Sequence, residues 1–260
     1  MRALTTNVLL SLILALGCFA CGEDPGEEPP PPDVDAAPPP PPPGGGECSD
    51  VFCTDDIILD MSLHFDRTSD GDVTNVDDNG DWLSTIDATA GGFLNAAENA
   101  FLYMKFTQDG LVKVDIDDET ALSSTDWDIA ARRYVVRLNG GTSGSSCVGA
   151  AFLPGENYAN VTEEPPGTVY EYDQSYDATC TAVDDGSGLP GSPDVALTGW
   201  WGYTTCVTTT NIPILIKLAD DSVVKMVVES YYGTGQDLCN TDGTPGDPSA
   251  MLTARWQFLP

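Results

Sequence analysis

The sequence predicts an all-β, antiparallel sandwich or barrel-like domain behind a signal peptide and a proline-rich linker. Three observations predict it. Short apolar or alternating runs recur through residues 48–260. Turn dipeptides punctuate them, among them Asp109-Gly110, Asn139-Gly140 and Asp220-Asp221. Cys48, Cys53, Cys147, Cys180, Cys206 and Cys239 follow the linker and suit the disulfides of an oxidising, extracytoplasmic compartment.

The N-terminal segment carries Arg2 and then a short apolar run, Val8 to Leu16, too short to span a bilayer. It ends in Ala15-Leu16-Gly17-Cys18. A small residue before a cysteine at this place resembles a bacterial lipobox, which makes residues 1–18 the signal and Cys18 the lipidated residue. Cys21 is the alternative, and it leaves an even set of six later cysteines. Residues 22–47 hold eleven prolines and seven acids, with an unbroken run from Pro38 to Pro43. Such a segment adopts extended polyproline II and needs no core, so it reads as a disordered tether. The domain is expected over residues 48–260, at the cell surface or outer membrane.

Within the domain, Ile57 to Phe65 alternates, with Leu59, Met61, Leu63 and Phe65 on one face. It is expected to be a strand, with His64 on its polar face and Met61 in the core. A long loop is expected from Arg67 to Trp82, and a helical turn within Gly91–Ala100. Further strands are expected at Ala100–Thr107, Leu111–Ile116, Trp127–Leu138, Val169–Tyr172, Ile212–Leu218, Ser222–Tyr232 and Met251–Phe258, with Met226 in the core.

The cysteines allow fifteen pairings. Sequential bridges, Cys48–Cys53, Cys147–Cys180 and Cys206–Cys239, are the expectation. A zinc site has no Cys-x-x-Cys pair beyond the signal region to support it.

Composition excludes several functions. The net charge is −31, from 41 acids against 10 bases, and such a surface repels nucleic acid. His64 is the one histidine, so a multi-histidine metal site is impossible. Any Ser-His-Asp or Cys-His machine must use it. The adjacent pairs Asp117-Asp118 and Glu163-Glu164 point to opposite faces of a strand and cannot flank one glycosidic bond. Gly141-Thr142-Ser143-Gly144-Ser145 lacks the final glycine of a nucleophile elbow. The chain is therefore read as not an enzyme.

Two stretches invite a ligand. The aspartates Asp70, Asp72, Asp77 and Asp81 crowd the first loop, where Asn75, Asp77, Asn79 and Gly80 resemble the start of an EF-hand. Its twelfth position is Ile86 rather than a glutamate. Calcium held by the four aspartates is one reading, a solvated acidic loop the other.

The second stretch is more specific. It runs Trp127-Asp128-Ile129-Ala130-Ala131-Arg132, then Asn139-Gly140-Gly141-Thr142-Ser143-Gly144. As a strand it places Asp128 and Arg132 near enough to pair, and it feeds a glycine turn that tolerates positive φ. This string resembles the HmuY family of bacterial lipoproteins, with Ala131 where that family has phenylalanine. The lead-in Phe101–Phe106 and the strands around Leu215–Leu218, Lys225-Met226 and Ser230–Tyr232 extend the likeness to roughly residues 95–260.

The resemblance implies a grip-shaped all-β fold, a surface lipoprotein, and capture of haem through two axial histidines or methionines located after the glycine turn. Between Cys147 and Lys225 there is neither residue. Tyrosine also ligates haem iron, which makes Tyr158, Tyr170, Tyr172 and Tyr176 the candidates in that region. Two functions follow: a small-molecule ligand, haem first, held beside the glycine turn; or a calcium-stabilised adhesion module that binds a surface protein.

Overall fold

The computed structural model describes residues 51–186 and 193–260. The signal peptide, Cys18, Cys21, the linker and Cys48 lie outside these residues. A helix, α1 (Thr54–Asp60), precedes a hairpin of β1 (Val73–Asp78) and β2 (Asp81–Asp87). A 3-10 turn over Phe93–Glu98 leads into β3 (Leu102–Thr107), β4 (Gly110–Val114) and a single turn of helix, α2 (Asp118–Ala121). Next come β5 (Ile129–Arg132), β6 (Val135–Leu138), β7 (Gly149–Phe152), β8 (Trp201–Tyr203), β9 (Val207–Thr209), β10 (Ile214–Lys217) and β11 (Val223–Tyr232). The helix α3 (Asp237–Asp242) and β12 (Ser249–Phe258) complete the order.

The larger sheet has six strands in the order β1-β2-β12-β11-β10-β7, and the smaller has four in the order β4-β3-β5-β6. Every pairing in both is antiparallel. One apolar cluster fills the space between them. Leu102, Met104, Phe106, Ile129 and Ala131 from the smaller sheet meet Ile214, Ile216, Val224, Met226 and Trp256 from the larger. The fold is thus β-dominated and sandwich-like, but not purely β.

The two-residue period of a strand dictates what else must be covered. Leu102, Met104 and Phe106 face the sandwich interior, so Phe101 and Tyr103 face away from it. These two residues sit in a second buried cluster with Trp127, Ala130, Ile57, Met61, Leu63 and Leu122. The α1 segment and α2 therefore form a third layer on the back of the smaller sheet. Stretches of the chain after β7 cover part of the outer face of the larger sheet, with Val161 against Leu215 and Val223.

This third layer corrects the expected strand at Ile57–Phe65. Ile57 and Met61 are buried, whereas Leu59 and Phe65 are 76% and 72% exposed. A spacing of four fits both the helical and the extended period, and the need for a cover selects the helix. Asp55 and Asp56 in its first turn favour that choice electrostatically.

Two further expectations change. The Arg67–Trp82 loop contains β1, which turns through Asn79 (φ 60°) and Gly80 (φ 98°) into β2. This Asn-Gly pair is a two-residue hairpin turn. The run Trp127–Leu138 is also a hairpin, with Arg132 opposite Val135 and Arg133 at φ 58°. The expected strand at Val169–Tyr172 is reduced to an isolated bridge from Glu171 to Ala150.

Of the sequential bridges expected, Cys206–Cys239 is present and the pairing of Cys53 and Cys180 differs. Cys53 bridges Cys180, across 127 residues of sequence. This joins the start of α1 to the loop at Asp177–Thr181 and excludes the expected Cys48–Cys53 and Cys147–Cys180 bridges. Cys147 is itself disulfide-bonded. Cys206 bridges Cys239, fastening α3 beside β9.

Candidate ligand-binding groove

The motif that carries the family resemblance builds the fold rather than a pocket. Asn139 is fully buried, and its amide donates to Ser124 O (2.9 Å) and Trp127 O (2.8 Å) while accepting from Ser146 N (3.2 Å). A Cβ on Gly144 would lie 2.0 Å from Asn139 Oδ1, so the turn closes only around glycine. Gly141 (φ 63°) brings its backbone against Asp173, and Gly140 abuts Val148 O. Asp128 does not pair with Arg132. It accepts from Phe106 N (2.8 Å) instead.

A buried polar chain runs beneath this turn. Arg137 donates to Ser143 O (2.9 Å), Ser143 Oγ (3.2 Å) and Tyr103 OH (3.3 Å). Asp118 accepts from Phe101 N (2.8 Å) and His64 N (3.0 Å). Asp173 accepts from Leu138 N (3.0 Å) and Ala196 N (2.9 Å). Burial pushes the Asp173 carboxyl up to about 6, opposed by hydrogen bonds from Ser143, Ala196 and Leu138 and by the Arg137 charge. Asp118 and Asp128 are raised for the same first reason. Each of these groups is committed to holding loops on the sheet.

The groove lies at the Leu102 end of β3, where the β5–β6 hairpin tip meets α1 and the Phe93–Glu98 turn. Two adjoining cavities of about 200 and about 410 Å³ share Asp60, Met61 and Pro193. Apolar atoms of Phe93, Phe101, Tyr134 and Val135 line the first, and Tyr176 and Val183 the second. Arg132 and Arg133 border the first cavity.

Both arginines hold neutral groups. Arg132 donates to Met61 O, Ser62 O and Asn99 O and lies 4.2 Å from the Phe101 ring centre. Arg133 donates to Thr89 O, Ser249 O and Ser249 Oγ. Neither forms a salt bridge among the described residues. Burial lowers Arg132 to about 10, partly offset by Asp118, which leaves it charged at neutral pH. The groove therefore combines apolar walls with two cations at the first cavity, while Asp60, bound by Tyr176 OH, and Asp184 border the second.

Its outer edge is unusual. Phe93 and Leu94 are 76% and 89% exposed. They follow three consecutive left-handed residues, Ala90, Gly91 and Gly92. His64 Nε2 lies 3.0 Å from Ala97 O, and Arg67 donates to Glu98 O (2.9 Å). His64 is thus half-buried and holds this turn, rather than standing free on a strand. Met61 is expected in the core. Burial justifies that, yet Met61 also lines both cavities, which a strand assignment could not reveal.

The other expected site residues do not converge. Asp72 lies at the open end of the β1–β2 hairpin, and Asp77 and Asp81 at its turn. Five residues of strand separate Asp72 from Asp77, about 16 Å, so the four aspartates form no single calcium site. Asp77 accepts from Gly80 N, and Asp81 accepts from Tyr158 OH and lies 3.5 Å from Arg255. Tyr176 OH donates to Asp60 Oδ2 and Asp56 O. Burial, then a carboxylate neighbour, raises Tyr158, Tyr170 and Tyr176, which opposes the phenolate that iron prefers.

Tyr172 borders a separate cavity of about 480 Å³ beside the glycine turn, with Glu171 and Asp194 on its wall. That lining is acidic and unsuited to an anion. Among the described residues, Cys53, Asp56 and Cys180 are near enough together to hold a metal ion. With the two sulfurs bridged, neither is a thiolate ligand.

Sandwich and groove together describe a binding domain. Residues 97–247 match the family model described as HmuY protein, which is more than half of the chain. The chain belongs to the HmuY family. Members of that family capture haem and are not catalysts, and the chain is not an enzyme.

Among solved structures, a protein described as a lipoprotein of Bacteroides fragilis is 18% identical. The match covers 71% of this chain and 95% of that one, at a TM-score of 0.45. An HmuY-like heme-binding protein of Bacteroides vulgatus is 18% identical over 71% and 96%, at 0.43. The apo HmuY analogue of Tannerella forsythia is 14% identical over 72% and 97%, at 0.38. None of the curated proteins matches. Among the described residues no helix is long and apolar enough to cross a membrane.

Proposed function

We propose that this is a lipid-anchored, extracytoplasmic capture protein whose groove takes an apolar, planar, anionic ligand, with haem the first candidate. The observation that carries the reading is the joint presence of Phe101, Tyr134 and Val135 walls with Arg132 and Arg133, neither of which forms a salt bridge among the described residues. Apolar walls accept a porphyrin face, and the guanidinium charges favour its carboxylates. Met61 is the one thioether lining both cavities, and it takes the place of an axial donor. The ligand then lies against α1, the hairpin tip and Tyr176, away from Tyr158, Tyr170 and Tyr172.

The test is a haem titration of the purified chain, read by Soret absorbance. One haem per chain with a shifted Soret band is expected. Met61→Leu keeps the packing volume and is expected to change the band shape. Replacing Phe93 and Leu94 together by aspartate is expected to weaken binding about tenfold or more, with no loss of thermal stability, because both side chains are exposed in the free protein. A Soret band that does not respond to added chain overturns the haem reading.

A further inference from the structure

A second site lies at the other end of β3. The chain leaves the groove at Leu102 and reaches Thr107 about 17 Å away. There the β1–β2, β3–β4 and β10–β11 turns gather with the end of β12. Two adjoining cavities of about 330 and about 240 Å³ share Gln108 and Phe258. Together they make one open trench.

The trench has an aromatic floor that is braced from behind. Trp82 and Phe258 are both half-buried, and both lean on the fully buried Trp256. The ring centres are 6.4 Å apart for the stacked Trp82–Trp256 pair and 5.9 Å for the edge-on Trp256–Phe258 pair. Trp256 is itself held by Ser84, to whose Oγ it donates (2.8 Å). An aromatic ring held in this way offers a fixed face at little entropic cost.

Planar polar groups border the rings. Gln108 is exposed, and the Gln257 amide lies between Asp81 and Lys225. Asp128 is 5% exposed and lines the larger cavity. Phe106 N donates to its Oδ2, and no other described group donates to that carboxylate. One oxygen of a nearly buried acid in the cavity wall is therefore left with acceptor capacity, which a ligand hydroxyl can use.

Flat aromatic faces flanked by amides and carboxylates are what vicinal hydroxyls and the C–H faces of a sugar ring require. Asp77, Asp81, Asp128 and Asp220 line the trench with Lys105, while Arg255 lies 3.5 Å from Asp81 and Lys225 beside the Gln257 amide, so acid exceeds base. That balance rejects uronic and sialic acids. We infer that the trench binds a neutral oligosaccharide, independently of the groove and of whatever the groove holds.

The experiment is titration of the full chain with maltotriose, cellotriose, xylotriose and chitotriose, with trigalacturonate as the anionic comparison, followed by tryptophan fluorescence and calorimetry. At least one neutral trimer is expected to bind in the micromolar-to-millimolar range, with trigalacturonate at least about tenfold weaker. Gln108→Ala is expected to weaken that binding several-fold at unchanged melting temperature, since its side chain is exposed. Trp82→Ala is expected to abolish it while leaving a haem titration unaltered. No binding of any neutral trimer at millimolar concentration overturns the inference. Equal affinity for trigalacturonate, or full affinity in Gln108→Ala, does so as well.

Discussion

Asn139→Ala is expected to cost about 3–5 kcal/mol of folding stability. The residue is fully buried, and its loss strands Ser124 O, Trp127 O and Ser146 N without partners. At the melting temperature of a domain of this size, that is a drop of about 6–20 °C. Gly144→Ala attacks the same closure from the other side, because its Cβ would overlap Asn139 Oδ1. Urea denaturation of both variants measures the effect. A loss under about 1 kcal/mol for Asn139→Ala would mean that the turn is held by something else and that the motif is kept for a ligand.

Acidification from neutral pH toward about pH 5 is expected to stabilise the folded chain. Asp173 titrates near 6 when folded, because burial disfavours its charge, against an ordinary value of 3.8. Between those values the folded state holds a proton that the unfolded chain has released. The contribution is complete below the unfolded value and is lost as pH rises through about 6, a change of about 3 kcal/mol. Asp118 and Asp128 are raised by burial and act in the same direction. Relief of self-repulsion in a chain of net charge −31 adds to them. Melting curves from about pH 4.5 to 8 check this, and Asp173→Asn should flatten the slope whatever it does to absolute stability. A melting temperature that rises steadily toward pH 8 would contradict the raised titration of Asp173 in the folded chain.

Most of the sandwich strands were legible because they are ordinary. Leu102–Thr107 and Val223–Tyr232 are apolar runs ended by turn residues, and both are strands. The failures have specific causes. Ile57 and Met61 satisfy two periods at once, so local pattern could not distinguish helix from strand. The Trp127–Leu138 hairpin turns through Arg133-Tyr134, with no glycine, proline or asparagine to mark it. Arg133 is held in its left-handed conformation by Thr89 O and Ser249, which are remote in sequence. β1 reads Val-Thr-Asn-Val-Asp-Asp and carries too little apolar signal to rise above its acids.

The groove was hidden for the same reason as the hairpin. Its parts come from α1, the Phe93–Glu98 turn, Arg132–Val135 and the later residues Tyr176, Val183 and Pro193, which no motif connects. Of the four tyrosines downstream of the glycine turn, Tyr176 lines the groove, beside Val183 and Pro193, while the rest of the wall comes from upstream segments and the hairpin tip. The cysteine pairing joins segments 127 residues apart and has no local signature at all.

The layering of the sheets sets the smallest piece of this polypeptide able to fold by itself. The family match runs from 97 to 247, but the six-stranded sheet takes β1 and β2 from before that range and β12 from after it. β12 is an interior strand, hydrogen-bonded to β2 on one side and β11 on the other. A fragment cut at the family limits would expose the hydrogen-bonding edge of β11, the back of the smaller sheet and an unpaired half of Cys53–Cys180. Expression of the domain therefore has to begin before Val51 and run to the C-terminus. The region shared with relatives and the unit that folds cooperatively are different stretches of chain.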